Sequence, residues 1–399
     1  MKTTDYIERS ESSILHTYNR YQIVLEKGEG VYLYDVDDKK YLDFAAGIAV
    51  NALGYHHPVY TKTLQDQAAR LTHISNLYYN TPMMEAGEKV LKTSGMARVF
   101  FTNSGAEAIE GALKAAKKYA FRRDGHAGHS IIAMEHSFHG RTVGALSVTG
   151  NAHYREPFEP LMGGVRFAKF NDPDSVRSLV DDTVCAVILE TIQGEGGIYP
   201  ADQKFLEDLR SLCDEHDILL ILDEIQCGMG RTGHPFAWQE YGVQPDIMTC
   251  AKALGNGIPV GAFVLGEKAS SASLEPGDHG TTYGGNPLAC AAVSAVFDIY
   301  EQEQIIGHVR KLAPYLEEQL EALIRDYPCI KARRGKGFMQ GLVVEDHPVS
   351  AIINRALENG LLIISAGTNV LRLVPPLIIE RQHIDEMIEK LRMSLDQTL

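Results

Sequence analysis

Two apolar runs, each ending on a single charged residue, constrain this chain more than anything else in it. They are ILLILDEIQCGMGRTG and PDIMTCAKALGNG, lying between residues 218 and 257. A short, unbroken apolar run suits a central parallel strand covered on both faces. Asp223 leaves the first such strand and Lys252 follows the second. Open α/β sheets bind their ligands outside the carboxyl ends of their strands, where both residues would sit. A lysine held in apolar surroundings has a lowered pKa and becomes a nucleophile for carbonyl carbon. Taken singly, each also has an ordinary reading, as a loop lysine and as a turn or cap aspartate.

The totals narrow the class. A length of 399 residues exceeds what one core usually supports, so two domains are expected. A formal net charge of −14 argues against a nucleic-acid or anionic-membrane surface. The six cysteines, at 185, 213, 227, 250, 290 and 329, show no Cys-x-x-Cys spacing and mostly lie in apolar runs. They read as buried free thiols of a reducing compartment, with no zinc site or disulfide frame. The N-terminal MKTTDYIERSESSILHTYNR lacks the apolar core of a signal peptide, and no apolar run is long enough to span a bilayer. The expected location is the cytosol.

Along the chain, VYLYDVDDKKYLDF predicts a β-hairpin turning at Asp37-Asp38, and residues 59 to 71 and 82 to 93 predict helices. The first thirty or so residues show no clear core pattern. RVFF reads as a buried strand, TNSG as a turn, and AEAIEGALKAAKKYA as a helix. Free N–H groups in that helix's first turn, beside Ser104 and an unhindered Gly105, make either a phosphate site or an ordinary Ser-type cap. SIIAM is a further strand, and its glycine-bearing exit carries Phe138, His139 and Arg141. Phe138 could lie against an aromatic cofactor ring, and Arg141 offers a planar fork for a carboxylate. VCAVILE repeats the pattern, with Glu190, Gln193 and Glu195 on the loop beyond it. Residues 201 to 215 form an amphipathic helix with Phe205, Leu206, Leu209, Leu212 and Cys213 on one stripe. Strands and helices thus alternate from about 98 to 265, which predicts an α/β fold with a largely parallel sheet. After HGTTYGGNP, helices over 287 to 325 break near Gly307, three short strands follow, and a helix closes the chain over 380 to 397.

Gly228, Gly230 and Gly233 spell G-x-G-x-x-G and raise a nicotinamide-dependent oxidoreductase as an alternative. The context disagrees: DEIQC separates the strand from the first glycine, and Pro235 stands where a phosphate-binding helix should run. An acid and a desolvated lysine delivered at the ends of two buried strands instead match what pyridoxal phosphate (PLP) requires, an imine partner for its aldehyde and an anion for its ring nitrogen.

FFTNSGAEA, SFHGRT, IQGEGG, LDEIQCGMGRTG, PDIMTCAKALGNG, HGTTYGGNP and VLRLVPPL occur in this order. Together they resemble the class III, ω-amino-acid branch of PLP-dependent aminotransferases, from about residue 24 to the end. LDFAAGIAVNALGYHHP, NLYYN and SFHGRT look most like the acetylornithine aminotransferase group. The resemblance implies the type I PLP transferase fold: a large, mostly parallel sheet domain over 51–295 and a smaller α+β domain over 296–399, with the segment 1–50 packing against the smaller one.

It also implies roles. Lys252 forms the imine and, once displaced, carries the proton between substrate and cofactor carbons. Asp223 keeps the pyridine nitrogen protonated. Gln226 lies near the phenolic oxygen, within a cofactor-binding run that includes Glu224 and Ile225. Phe138 stacks on the ring, and Ser104, Gly105 and Ala106 hold the phosphate. Thr282 reaches the phosphate of a neighbouring subunit and Thr281 lines that subunit's substrate pocket, which makes a homodimer necessary. Arg141 takes the α-carboxylate of acetylornithine. Arg372 takes a carboxylate of glutamate and 2-oxoglutarate, and Glu195 pairs with Arg372 when the amine is bound. Ornithine, succinylornithine, succinyldiaminopimelate and 4-aminobutyrate are alternative donors. Two positions depart from the family pattern, Glu190-Thr191 where Glu-Pro is common and AKALGNG for AKALGGG. In ornithine aminotransferases an aromatic residue usually occupies the region of Gly47-Ile48, and its absence here leaves room for an N-acyl group.

Overall fold

The computed structural model describes residues 2–399. Its centre is a seven-stranded sheet built from β1 (Arg98–Thr102), β2 (Ser130–Met134), β3 (Val165–Ala168), β4 (Val184–Glu190), β5 (Leu219–Asp223), β6 (Ile247–Cys250) and β7 (Gly261–Leu265). The spatial order is β1-β7-β6-β5-β4-β2-β3. Every residue of β2, β4, β5, β6 and β7 is buried, which is why these segments read as continuous apolar runs rather than alternating ones. Strands β2 to β6 run parallel, while β7 is antiparallel to both β6 and β1. The sheet is therefore mixed, with one reversed strand inside it.

Helices cover both faces, as an all-buried sheet demands. α1 (Pro58–Arg70) and α2 (Thr81–Ser94) precede the sheet, α3 (Gly105–Asp124) follows β1, and α4 (Gln203–Glu215) leads into β5. The predicted stripe of α4 is the buried one: Phe205, Leu206, Leu209, Leu212 and Cys213. α5 (Pro287–Gln302) and α6 (Ile305–Asp326) are separated at Glu303–Gln304, slightly before the expected break at Gly307, because Gln304 takes a left-handed conformation. α5 runs uninterrupted through residue 295.

The C-terminal part forms a second sheet from β8 (Ile330–Lys336), β9 (Met339–Val344), β10 (Ile364–Ala366) and β11 (Val370–Leu373), in the order β8-β9-β11-β10. α7 (Val349–Glu358) packs against β10 and β11, and α8 (Arg381–Asp396) packs against α6 and α7. The predicted hairpin is present as Tyr32–Asp35 and Lys40–Asp43. Two further elements stand in the segment that showed no core pattern, a helix over Thr3–Ser13 without a buried residue and a strand over Leu25–Glu29. Leu361–Leu362 adds a parallel strand to this N-terminal sheet, so the two chain ends meet.

Arg231 fastens the two large sheets' loops together. It is fully buried, and its Nη1 donates to Phe338 O at 3.1 Å and Pro375 O at 2.8 Å, while its own carbonyl accepts from Phe338 N at 2.8 Å. Phe338 and Pro375 flank the pairing of β9 with β11, where Gly341 sits opposite Arg372. All six cysteines are buried and unpaired. No helix among the described residues is long and apolar enough to cross a membrane.

Candidate active site

The register of β5 against β6 sets the centre of the site. Asp223 pairs with Thr249, three residues ahead of Lys252, so the acid and the amine leave neighbouring parallel strands on the same edge. Asp223 is held on both oxygens. Oδ1 accepts from Ile225 N at 3.0 Å and Thr249 Oγ1 at 3.1 Å, and Oδ2 lies 2.7 Å from His139 Nδ1. Lys252 opens a short 3₁₀ turn with a left-handed backbone. Burial pulls its amine down to about 8, with Glu195 and Asp223 opposing and Arg372 reinforcing that shift.

A cavity of about 470 Å³ opens over these groups. Of the predicted site residues, Ser104, Gly105, Ala106, Phe138, Arg141, Asp223, Ile225, Gln226 and Lys252 line it. Asn103, His139, Glu190 and Val50 join them, none of which the sequence had assigned a role. At the start of α3 both readings of Ser104 hold: its Oγ accepts from Glu107 N at 3.2 Å as an N-cap, and the first turn still presents backbone N–H groups without intrahelical acceptors. Gly105 lies close against Ile225: a Cβ there would come within 2.9 Å of Ile225 Cδ1. The helix start is thereby brought down onto the loop that carries Asp223.

Glu190 ends β4, and burial pushes its carboxyl up to about 7. It accepts from Phe138 N and Gly194 N, each at 3.2 Å, and so joins the two loops that bound the cavity. On His139, burial acts to lower the pKa, but the bond and charge of Asp223, with Glu190 behind it, outweigh burial and raise it. Its Nε2 is buried without a partner.

The Glu224 side chain is not part of the cavity lining. Side chains alternate at a strand exit, so where Asp223 faces the cavity Glu224 points away from it. Its carboxylate accepts from Ala237 N at 2.7 Å, Trp238 N at 2.9 Å and Thr191 Oγ1 at 3.1 Å. Glu195 and Arg372 lie beside the cavity, joined through Arg372 Nη1 to Glu195 Oε1 at 2.5 Å and Nη2 to Oε2 at 3.2 Å. Arg372 Nη1 also donates to Gln226 Oε1 at 3.1 Å, which connects this pair to the cavity wall. Burial alone would raise Glu195, but Arg372 reverses that and holds its carboxyl low. Thr281 and Thr282 are outside their own chain's cavity; Thr281 Oγ1 accepts from Asn103 Nδ2 at 3.0 Å and Gly284 N at 3.2 Å. Gly47 and Ile48 line a neighbouring apolar cavity with Tyr21 and Tyr55, leaving Val50 as the residue of that segment at the candidate site.

Two other constellations are set aside by their geometry. After Gly228, Gly230 and Gly233 no helix begins until a single turn at Trp238–Tyr241, so no dinucleotide-binding strand-turn-helix exists here. Asp124, His126 and His129 bring three ligating atoms within 4.8 Å. Arg123, however, already donates to both oxygens of Asp124 at 2.7 Å, and His129 Nε2 lies 2.8 Å from one of them.

With this geometry in view, comparison with known proteins places the chain. The family model for class-III aminotransferases matches residues 14–395, and the chain belongs to that family. Its sheet architecture is the type I PLP transferase fold, and it is a PLP-dependent transaminase. It is 48% identical over 376 residues to the acetylornithine aminotransferase of Caldanaerobacter subterraneus subsp. tengcongensis, covering 94% of this chain and 95% of that one. The solved N-acetylornithine aminotransferase of Stenotrophomonas maltophilia matches with a TM-score of 0.85 at 36% identity, over 98% of each chain. The ornithine aminotransferase of Toxoplasma gondii, in a structure showing partial occupancy of PLP at its active site, matches with a TM-score of 0.94 at 29% identity, over 100% of this chain and 95% of that one.

The residues present fit such a cofactor. A lysine with a lowered pKa suits an aldehyde, a buried carboxylate suits a ring nitrogen, and an open helix start with a glycine cradle suits a phosphate.

Proposed function

We infer that this transaminase moves the terminal amino group of N-acetylornithine to 2-oxoglutarate, giving N-acetylglutamate semialdehyde and glutamate. The observation that carries the reading is the contrast between two arginines. Arg141 lines the cavity and makes no ion pair or hydrogen bond among the described residues, whereas Arg372 is neutralised by Glu195. A site with one open cation and one covered cation fits an amine donor bearing a single carboxylate. Swinging Glu195 away from Arg372 uncovers the second cation for a dicarboxylate. The relatives that carry acetylornithine in their names support the choice of donor.

On this reading Ser104, Gly105 and Ala106 hold the phosphate of PLP, Phe138 lies on its ring, Gln226 is near its phenolic oxygen and Asp223 faces its ring nitrogen. PLP, when bound, supplies an electron sink. The chain's own groups do the rest. Lys252, with a pKa near 8, takes a proton at one carbon and returns it at another. Asp223 is held in place by Ile225 N, Thr249 Oγ1 and His139. Arg141 orients the donor through its carboxylate.

The same reading makes a homodimer the working unit, with Thr281 lining the partner's substrate pocket and Thr282 reaching its phosphate. Support comes from the surface around them: Thr282 is exposed, and Leu77, Tyr78, Tyr79 and Tyr283 stand out in solvent on segments joined by Asn76 Nδ2 to Thr281 O and Gly284 O. An apolar patch of this kind marks a protein interface. The division into a large domain over 51–295 and a small one over 296–399 belongs to this proposal too. The buried, unpaired thiols fit a reducing, cytoplasmic setting.

The test is an absorbance spectrum of the holoenzyme, before and after N-acetylornithine is added without a keto acid. Loss of the yellow band with N-acetylornithine, and little loss with free ornithine or 4-aminobutyrate, is expected. A yellow protein that ignores N-acetylornithine but responds to ornithine would transfer the assignment to that donor.

A further inference from the structure

Arg141 has no counter-ion among the described residues, yet it stands at the wall of a cavity, and something must keep it there. Its guanidinium carbon lies 3.8 Å from the centroid of Tyr154 and 5.5 Å from that of Phe138. The two rings meet edge to face, with centroids 6.3 Å apart at 85°. The near contact of Tyr154 is the arginine, and it meets Phe138 only edge to face. No carboxylate does this work, and that matters chemically. A neutral π face holds a guanidinium by its quadrupole and leaves all five N–H donors open, whereas an acid would occupy them.

Tyr154 is itself held in place. Asn151 caps its short helix through His153 N at 3.1 Å, and Arg155, the next residue, donates to Thr149 O at 2.6 Å and lies over Phe167 at 4.1 Å. Tyr154 also lines the adjoining cavity that contains Glu195 and Arg334. It therefore stands between the cofactor-facing cavity and the open space beyond.

We propose that Tyr154 is a specificity-determining positioning residue: its ring face holds Arg141 unpaired and aimed, so that the carboxylate of the amine donor finds a pre-set fork. The inference rests on Arg141 being the donor's carboxylate partner. Arg372 has its own support from Glu195 and Gln226, so Tyr154 serves one half-reaction and not the other.

The experiment is single-turnover absorbance on the holoenzyme, with N-acetylornithine and, separately, with glutamate, for wild type, Tyr154→Phe, Tyr154→Leu and Arg141→Ala. Tyr154→Leu is expected to raise the half-saturating N-acetylornithine concentration roughly five- to tenfold, the range of a partly desolvated cation–π contact. Its limiting rate and its glutamate half-reaction should stay within about twofold of wild type. Tyr154→Phe, which keeps the face, should restore saturation by N-acetylornithine. An unchanged Tyr154→Leu, a Tyr154→Phe as poor as Tyr154→Leu, or equal loss in both half-reactions overturns the proposal. Wild-type saturation in Arg141→Ala would instead remove the reading of Arg141 on which it stands.

Discussion

His139 Nδ1 lies 2.7 Å from Asp223 Oδ2, with neither side chain reaching solvent to any useful degree. The contact joins the loop after β2 to the end of β5, and among the described residues it is the one side-chain bond to the Asp223 carboxylate from outside its own pair of strands. A hydrogen bond to a buried carboxylate contributes about 1.5–3 kcal/mol. His139→Leu should therefore slow both half-reactions by roughly ten- to a hundredfold, since both use the same anion. His139→Asn, which can keep a donor, should fall between. Wild-type rates in His139→Leu would mean that Ile225 N and Thr249 suffice to aim the carboxylate.

The lowered pKa of Lys252 makes a prediction about capture of the cofactor. The neutral amine is the nucleophile, and a group shifted from 10.5 to about 8 is neutral over a much wider range. After PLP has been removed, the rate at which the chain takes it up again should rise with pH around a midpoint near 8. A midpoint above 10 would show that the amine is solvated in the empty site.

The two arginines should separate by half-reaction. Arg141→Ala is expected to weaken the N-acetylornithine step by tenfold or more and to spare the glutamate step, while Arg372→Ala should do the reverse; a charge-assisted fork is worth this much. Stopped-flow half-reactions read both. Equal losses would show that a single arginine serves both acids.

Glu224 predicts a pH effect on stability. Burial pushes it from an ordinary 4.5 up to about 7. Between those values the folded chain keeps a proton that the unfolded chain has released, so this group's contribution to stability falls as pH rises through the window. Glu224→Gln cannot lose that proton. Its melting temperature relative to wild type should therefore improve from pH 5 to pH 8, and a pH-independent difference would contradict the shift.

Much of this was legible in the residues because burial leaves a plain mark. The all-apolar runs of β4 and β5 and the stripe on α4 follow directly from what each must cover. Asp223 and Lys252 were legible for the opposite reason, as charges where the pattern calls for apolar groups. What escaped depends on pairing across long stretches of chain. Thr249 looks like an ordinary strand residue until β6 is set against β5, and His139 gains its partner from 84 residues away. Tyr154 sits in a single helical turn, Ala152–Arg155, too short to show a period. The helix over Thr3–Ser13 buries nothing, so it left no apolar stripe to detect. The direction of the Glu224 side chain was legible too, since two-residue alternation turns it away from Asp223.

The reversed strand β7 has a consequence for how this chain can vary. Because β7 runs against β6, the segment between them is a short return at one edge of the sheet, and Lys252 sits on it, tethered by a strand on either side. The far end of that return, Gly261, pairs with Thr102 and passes so close to Ser104 O that a Cβ would lie 2.3 Å from it. The amine and the helix start that receives an anion are thus two stations on one continuous hydrogen-bonded track. An inserted residue would have to be absorbed between Lys252 and Gly261 without moving either station, so insertions here should be rarer among descendants of this chain than in the loops at the opposite edge.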